Sequence, residues 1–122
     1  MKVLLCDDSM TVRKKVGHMI KYLTNCTIVE AVNGQDAIDQ FIEHKPDLVF
    51  MDITMPVKDG LEAVAEIMTT HQEAHIIMLS SVGTKSNLEK ALKFGAKDFL
   101  QKPIDTSDLE RILEQFEEAK HV

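Results

Sequence analysis

The chain has 122 residues, 44% of them hydrophobic, and a formal net charge of −6 at neutral pH. That length suits one domain spanning residues 1–122 and lets a fold bury roughly two-thirds of its extended-chain surface, so a core without disulfide staples is expected. The acidic balance argues against sequence-independent nucleic-acid binding, which needs surplus Lys and Arg to release counterions. Apolar runs are strand-sized, too short for a membrane span or a secretory signal, and a soluble, cytoplasmic, monomeric protein is expected.

Val3-Leu4-Leu5-Cys6 is an apolar run that stops on Asp7-Asp8, and Ser9 is placed to cap a helix carrying Val12, Val16, Met19, Ile20 and Leu23 at helical intervals. Within that helix Arg13-Lys14-Lys15 reads as a solvated face, with a docking patch for an acidic partner as the sharper alternative. A second strand runs from Thr27 to Val32, and Asn33-Gly34 turns the chain into a helix presenting Ala37, Ile38, Phe41 and Ile42. Cys6 and Cys26 have neither metal-type nor redox-type spacing, so both are expected as buried, reduced thiols.

Beyond Pro46 comes Leu48-Val49-Phe50-Met51, four apolar residues that read as a strand covered on both faces and end on Asp52. Asp59-Gly60 turns into a third helix striped by Leu61, Val64, Ala65 and Met68. A fourth strand, Ile76-Ile77-Met78-Leu79, ends on Ser80-Ser81. Gly83 then breaks the chain before a helix marked by Leu88, Ala91 and Leu92 and closed by Gly95. The fifth strand, Asp98-Phe99-Leu100-Gln101, stops on Lys102-Pro103, and the last helix turns Leu109, Ile112, Leu113 and Phe116 inward. His71 and His75 are read as solvated rather than metal-binding, because the residues between them lead into a strand.

Strands alternating with helices at this spacing specify an α/β fold, a doubly wound five-stranded parallel sheet with right-handed crossovers. In the common order 2-1-3-4-5, strands one and three adjoin at the switch point and ligands bind beyond their carboxyl ends. Asp7, Asp8, Asp52, Ser80 and Lys102 all fall on that edge. Three crowded carboxylates either protonate or take a divalent cation, and hard oxygen donors without clustered His or Cys favour Mg²⁺ over zinc. Such an ion together with Lys102 brings the site to neutrality, which suits a phosphoryl group. Asp52 is the natural nucleophile, Asp7 and Asp8 suit the metal, and Lys102 and Ser80 supply an ammonium and a hydroxyl.

Asp7-Asp8-Ser9, Asp52-Ile53-Thr54-Met55-Pro56 with Asp59-Gly60, Ser80-Ser81, Gly95-Ala96-Lys97-Asp98-Phe99 and Lys102-Pro103, in this order, resemble the response-regulator receiver domains, specifically the single-domain CheY-like group, over essentially the whole chain. The resemblance implies a flavodoxin-like fold and a two-component signalling protein rather than a turnover enzyme. It implies phosphorylation of Asp52 by a histidine kinase or phosphotransfer protein, with Mg²⁺ held by Asp8, Asp52, the Thr54 carbonyl and, partly through water, Asp7. Lys102 would contact the phosphoryl group across a cis bond to Pro103. Ser80 and Phe99 would act as the switch pair, and output to an unidentified protein partner would leave through helix four, strand five and helix five, with chemotaxis as one candidate pathway. Phe99 lacks the hydroxyl of a Tyr, so its inward position is expected to be comparatively favoured. Thr54 and Val82 stand where some relatives carry an amide and an acid that orient water, which implies slow self-dephosphorylation.

Three other readings fit less well. A phosphate-independent binding module would lack the acceptor or the lysine. A flavodoxin-type electron carrier would need a hydroxyl- and glycine-rich phosphate cradle where Asp7-Asp8 stand. A haloacid-type hydrolase would carry its nucleophile on the first strand, with a second acid two residues on.

Overall fold

The computed structural model describes residues 1–81 and 84–120; Val82 and Gly83 lie outside the described residues. Strands and helices alternate: β1 (Lys2–Cys6), α1 (Met10–Leu23), β2 (Thr27–Ala31), α2 (Gly34–His44), β3 (Leu48–Asp52), α3 (Gly60–Thr70), β4 (Ile76–Ser80), α4 (Lys85–Phe94), β5 (Asp98–Gln101) and α5 (Thr106–Lys120). All neighbouring strands run parallel, in the order β2-β1-β3-β4-β5.

A parallel sheet needs both faces covered, and side chains alternate along each strand to meet both layers. Leu4, Cys6, Val49, Met51, Ile76 and Met78 pack under α2, α3 and α4, while Val3, Leu5, Leu48, Phe50, Ile77 and Leu79 pack under α1 and α5. Every residue of β3 and β4 is buried, the polar Asp52 and Ser80 at their ends included.

Local signals set the helix starts. The Ser9 hydroxyl accepts the Val12 amide, the Asn33 side chain accepts the Asp36 amide, and Asp59 and Glu62 form a reciprocal capping box at α3. Gly95 closes α4 with φ at 122°, a value side-chain-bearing residues rarely adopt.

Several inward assignments shift. Ile42 and Leu92 are exposed, because each lies about 100° around its helix from a buried neighbour, Phe41 or Ala91, and so clears the sheet. On α3 the buried stripe is Gly60, Ala63, Val64 and Ile67, leaving Leu61 and Met68 at its margins. Val32 is exposed beyond the end of β2, and Cys26 is only partly buried against the α1 and α5 layer. The rings of His71 and His75, expected in solvent, stack edge-on against Phe41 and Phe116 at 5.1 and 5.0 Å.

Gly60 brings α3 hard against the end of β3: its amide donates to the Ile53 carbonyl at 2.7 Å, and a Cβ there would overlap the Asp52 carbonyl oxygen. Gly17 in α1 is different, since an added Cβ would make only ordinary contacts with Ile28 and Leu5 at 3.6 and 3.8 Å. Gly60→Ala is therefore expected to destabilise the fold by about 2 kcal/mol or more, whereas Gly17→Ala should be neutral or stabilise by up to about 1 kcal/mol. Urea unfolding midpoints of the two variants check the contrast.

Candidate functional site

The carboxyl ends of β1, β3, β4 and β5 meet at one edge of the sheet. Asp7 follows β1 directly and is fully buried, so each of its polar groups needs a partner. Its amide donates to the Ala31 carbonyl at 3.1 Å, which ties it to the end of β2. One carboxylate oxygen accepts the Ser9 amide at 2.9 Å and the other accepts the Lys102 ammonium at 2.7 Å. The Asp7 carbonyl accepts Nη1 of Arg13 at 2.6 Å. Asp8, next along, is exposed.

Asp52 ends β3 with only 5% of its surface accessible, 3.3 Å from the Lys102 ammonium, and accepts the Thr54 amide. Burial and then the negative charge of Asp7 push its pKa up from 3.8 to about 6, against the pull of Lys102 and the Thr54 amide. Lys102 feels the reverse. Burial works to lower its pKa, but the hydrogen bond to Asp7 and the charges of Asp52 and Asp7 outweigh that and raise it, so it stays an ammonium at neutral pH. One cation thus spans two carboxylates and neutralises neither completely.

Asp7, Asp8 and Asp52 each offer a carboxylate oxygen, all within 4.8 Å of one another. Among the described residues this is the one acidic, His or Cys group so arranged. Three hard oxygen donors with unmet negative charge suit a small divalent cation such as Mg²⁺. The donor chemistry and spacing therefore fit an ion.

The other anticipated residues lie beside this cluster. Thr54 is exposed on the loop after β3. The buried Ser80 hydroxyl makes a long, weak bond to the Leu100 carbonyl at 3.5 Å rather than to a carboxylate. Ser80 and Phe99 line a groove of about 500 Å³ between α4 and β5, with Thr84, Leu88, Leu92 and Gln101. Phe99 is exposed there, with 39% of its surface accessible, on the groove that Leu88 and Leu92 also line. The Lys102–Pro103 peptide bond is cis.

Arg13 was not legible as part of this edge. Its side chain is 11% exposed, bridging the Asp7 carbonyl and the Glu30 carboxylate, the latter at 2.8 Å; Lys14 and Lys15 beside it do face solvent. The signal was periodicity: Arg13 precedes the buried Val16, Gly17 and Ile20 by three, four and seven positions and so shares their face.

Comparison with known proteins identifies the family. Residues 3–114 match the response regulator receiver domain family. A chemotaxis protein CheY of Listeria monocytogenes is 41% identical, covering 98% of each chain, and one of Bacillus subtilis is 39% identical over 93% of this chain and 92% of its own. Among solved structures, the receiver domain of NtrX from Brucella abortus superposes with a TM-score of 0.86 at 28% identity, covering 93% of this chain and 96% of that one. A receiver domain protein of Clostridium thermocellum gives 0.90 at 24% identity over 98% and 96%, a likeness of fold. The chain belongs to the response regulator receiver domain family.

Proposed function

We propose that this chain is a phosphoacceptor switch, a single receiver domain whose Asp52 takes a phosphoryl group from a phosphohistidine donor. The observation that carries the reading is the environment of Asp52: a buried carboxylate at a strand end, flanked by two further acids and bridged by one lysine. An oxygen of Asp52 attacks phosphorus, the phosphorus–nitrogen bond of the donor breaks, and the electron pair leaves with the imidazole nitrogen. Lys102 pairs with a phosphoryl oxygen and holds the acyl phosphate that results. Asp7, Asp8, Asp52 and the Thr54 carbonyl would hold Mg²⁺, which when bound supplies positive charge to the acceptor and to the incoming phosphoryl oxygens. Ser80 and Phe99 would report the change to the α4 groove, and a protein partner reading α4, β5 and α5 would carry the output. The CheY relatives make chemotaxis the pathway to test first.

Incubated with acetyl phosphate and Mg²⁺, the protein is expected to gain one phosphoryl group by intact mass. Asp52→Asn or chelation of the metal should abolish the gain, and Lys102→Met should slow it about 100-fold or more. Equal labelling of Asp52→Asn would overturn the assignment. Capture of the same partners by wild type and Asp52→Asn, with or without phosphodonor, would instead favour the phosphate-independent module.

The raised Asp52 pKa has two consequences of known sign. A cation must displace the proton held up to about pH 6, so Mg²⁺ affinity should be level above about pH 7 and weaken below about pH 6, approaching tenfold per unit. Without metal, the folded state binds more protons at Asp52 than the unfolded chain does between about pH 4 and 6, so this group's contribution to stability falls as pH rises through that window. Calorimetric Mg²⁺ titrations at several pH values check the first, and urea unfolding in chelator, with the slope flattened in Asp52→Asn, checks the second. The double variant T54N/V82E, which restores water-orienting groups, should shorten the acyl phosphate lifetime in a hydrolysis time course.

A further inference from the structure

Asp8 is the weakly held member of the cluster. It is exposed, and no side chain among the described residues bonds its carboxylate. The peptide that joins it to Asp7 lies immediately before it in the chain. That peptide is gripped through the Asp7 carbonyl, and the grip is Arg13, 2.6 Å away. Arg13 is itself aimed by Glu30 at 2.8 Å. Glu30 directly precedes Ala31, whose carbonyl takes the Asp7 amide. Both sides of Asp7 are thus referred to the same two residues at the end of β2, one bond direct and one through the guanidinium.

Resting on the proposed function, we infer that Arg13, aimed by Glu30, is a positioning residue for the metal site: it fixes the Asp7–Asp8 peptide so that the Asp8 carboxylate stays beside those of Asp7 and Asp52. A guanidinium suits the task because its separate N–H groups bond a carbonyl and a carboxylate at once, which an ammonium on a flexible stem does poorly. Partners that orient ligands without touching the ion govern affinity in metal sites generally.

The sign of the effect separates this role from simple electrostatics. Arg13 is a cation near an acidic cluster, so if charge alone mattered its removal would tighten Mg²⁺ binding. Positioning requires the reverse. Titration calorimetry with MgCl₂ near pH 7.5 is expected to show Arg13→Met binding about tenfold more weakly than wild type. Arg13→Lys should stay weakened, and Lys14→Met, which removes a neighbouring exposed charge, should not weaken binding; Glu30→Gln should also weaken it, by less, where charge alone has the same sign, so the Arg13 variants carry the distinction. With acetyl phosphate, saturating Mg²⁺ should return Arg13→Met close to the wild-type maximal labelling rate. A clamp that served stability alone would lower the urea midpoint and leave the Mg²⁺ affinity of the folded variant unchanged, and that result, tighter binding, or full rescue by Lys would overturn the inference. If Arg13→Met does not fold, unchanged affinity in Glu30→Gln overturns it. Absence of Mg²⁺ binding by wild type would overturn the proposed function itself, along with this inference.

Discussion

The structure turns on one ammonium shared by two buried acids. Lys102, just past the end of β5 and 95 residues after Asp7, reaches Asp7 at 2.7 Å and Asp52 at 3.3 Å. Two carboxylates sequestered side by side would repel each other and lose hydration, and a single cation offsets only part of that. The remainder is visible at Asp52, which holds its proton up to about pH 6. A fold selected for stability alone would place apolar side chains here. An under-neutralised acidic pocket at a sheet edge is an arrangement that added positive charge would stabilise.

Backbone geometry makes the sharing possible. Strand order sets β1 and β3 side by side, so their terminal acids are neighbours, while β5 lies two strands from β3 and must send a long side chain across β4. The Lys102 amide bonds to the Ser80 carbonyl at 2.7 Å, continuing the β4–β5 ladder one residue past the strand and fixing where that side chain sets out. On the other flank, α3 begins against the Asp52 carbonyl because Gly60 has no Cβ, and Asp59 caps the helix where it starts. The end of β3 is thereby held from both sides.

Elements with a local signature were legible in the sequence. Apolar runs stopping on acids, Ser9, Asn33 and Asp59 before periodic segments, and Gly95 after one are all short-range signals from which strands and helices followed; the sheet order was the common one for such units, and with it the acidic edge followed. What was misread depends on depth and angle, which nearest neighbours do not encode. Ile42 and Leu92 are apolar and periodic, yet stand one step round the helix from the contact line. Cys26 lies outside the strands, where cover is thinner. Arg13 was hidden by its company: next to Lys14 and Lys15 it looked solvated, and only the alignment with Val16, Gly17 and Ile20 betrays that it faces the sheet.

Site and groove share strand β5, and this limits how a charge at Asp52 can be felt elsewhere. Lys102 is adjacent in sequence to Gln101, which pairs with Ser80 across the ladder, and Phe99 stands two positions earlier on the same face as Gln101. Besides its place in the ladder, Ser80 is tied to this segment by its carbonyl, which accepts the Lys102 amide, and weakly by its hydroxyl, which donates to the Leu100 carbonyl. The first bond is short and backbone-only, so the strand ends are laced together. The second, at 3.5 Å, is the one a competing acceptor near Asp52 could most readily replace, since little is lost when so long a bond breaks. Under the proposed function, then, the hydroxyl is free to respond while the ladder is not, and rearrangement should be confined to side chains of the groove wall, with the sheet unmoved.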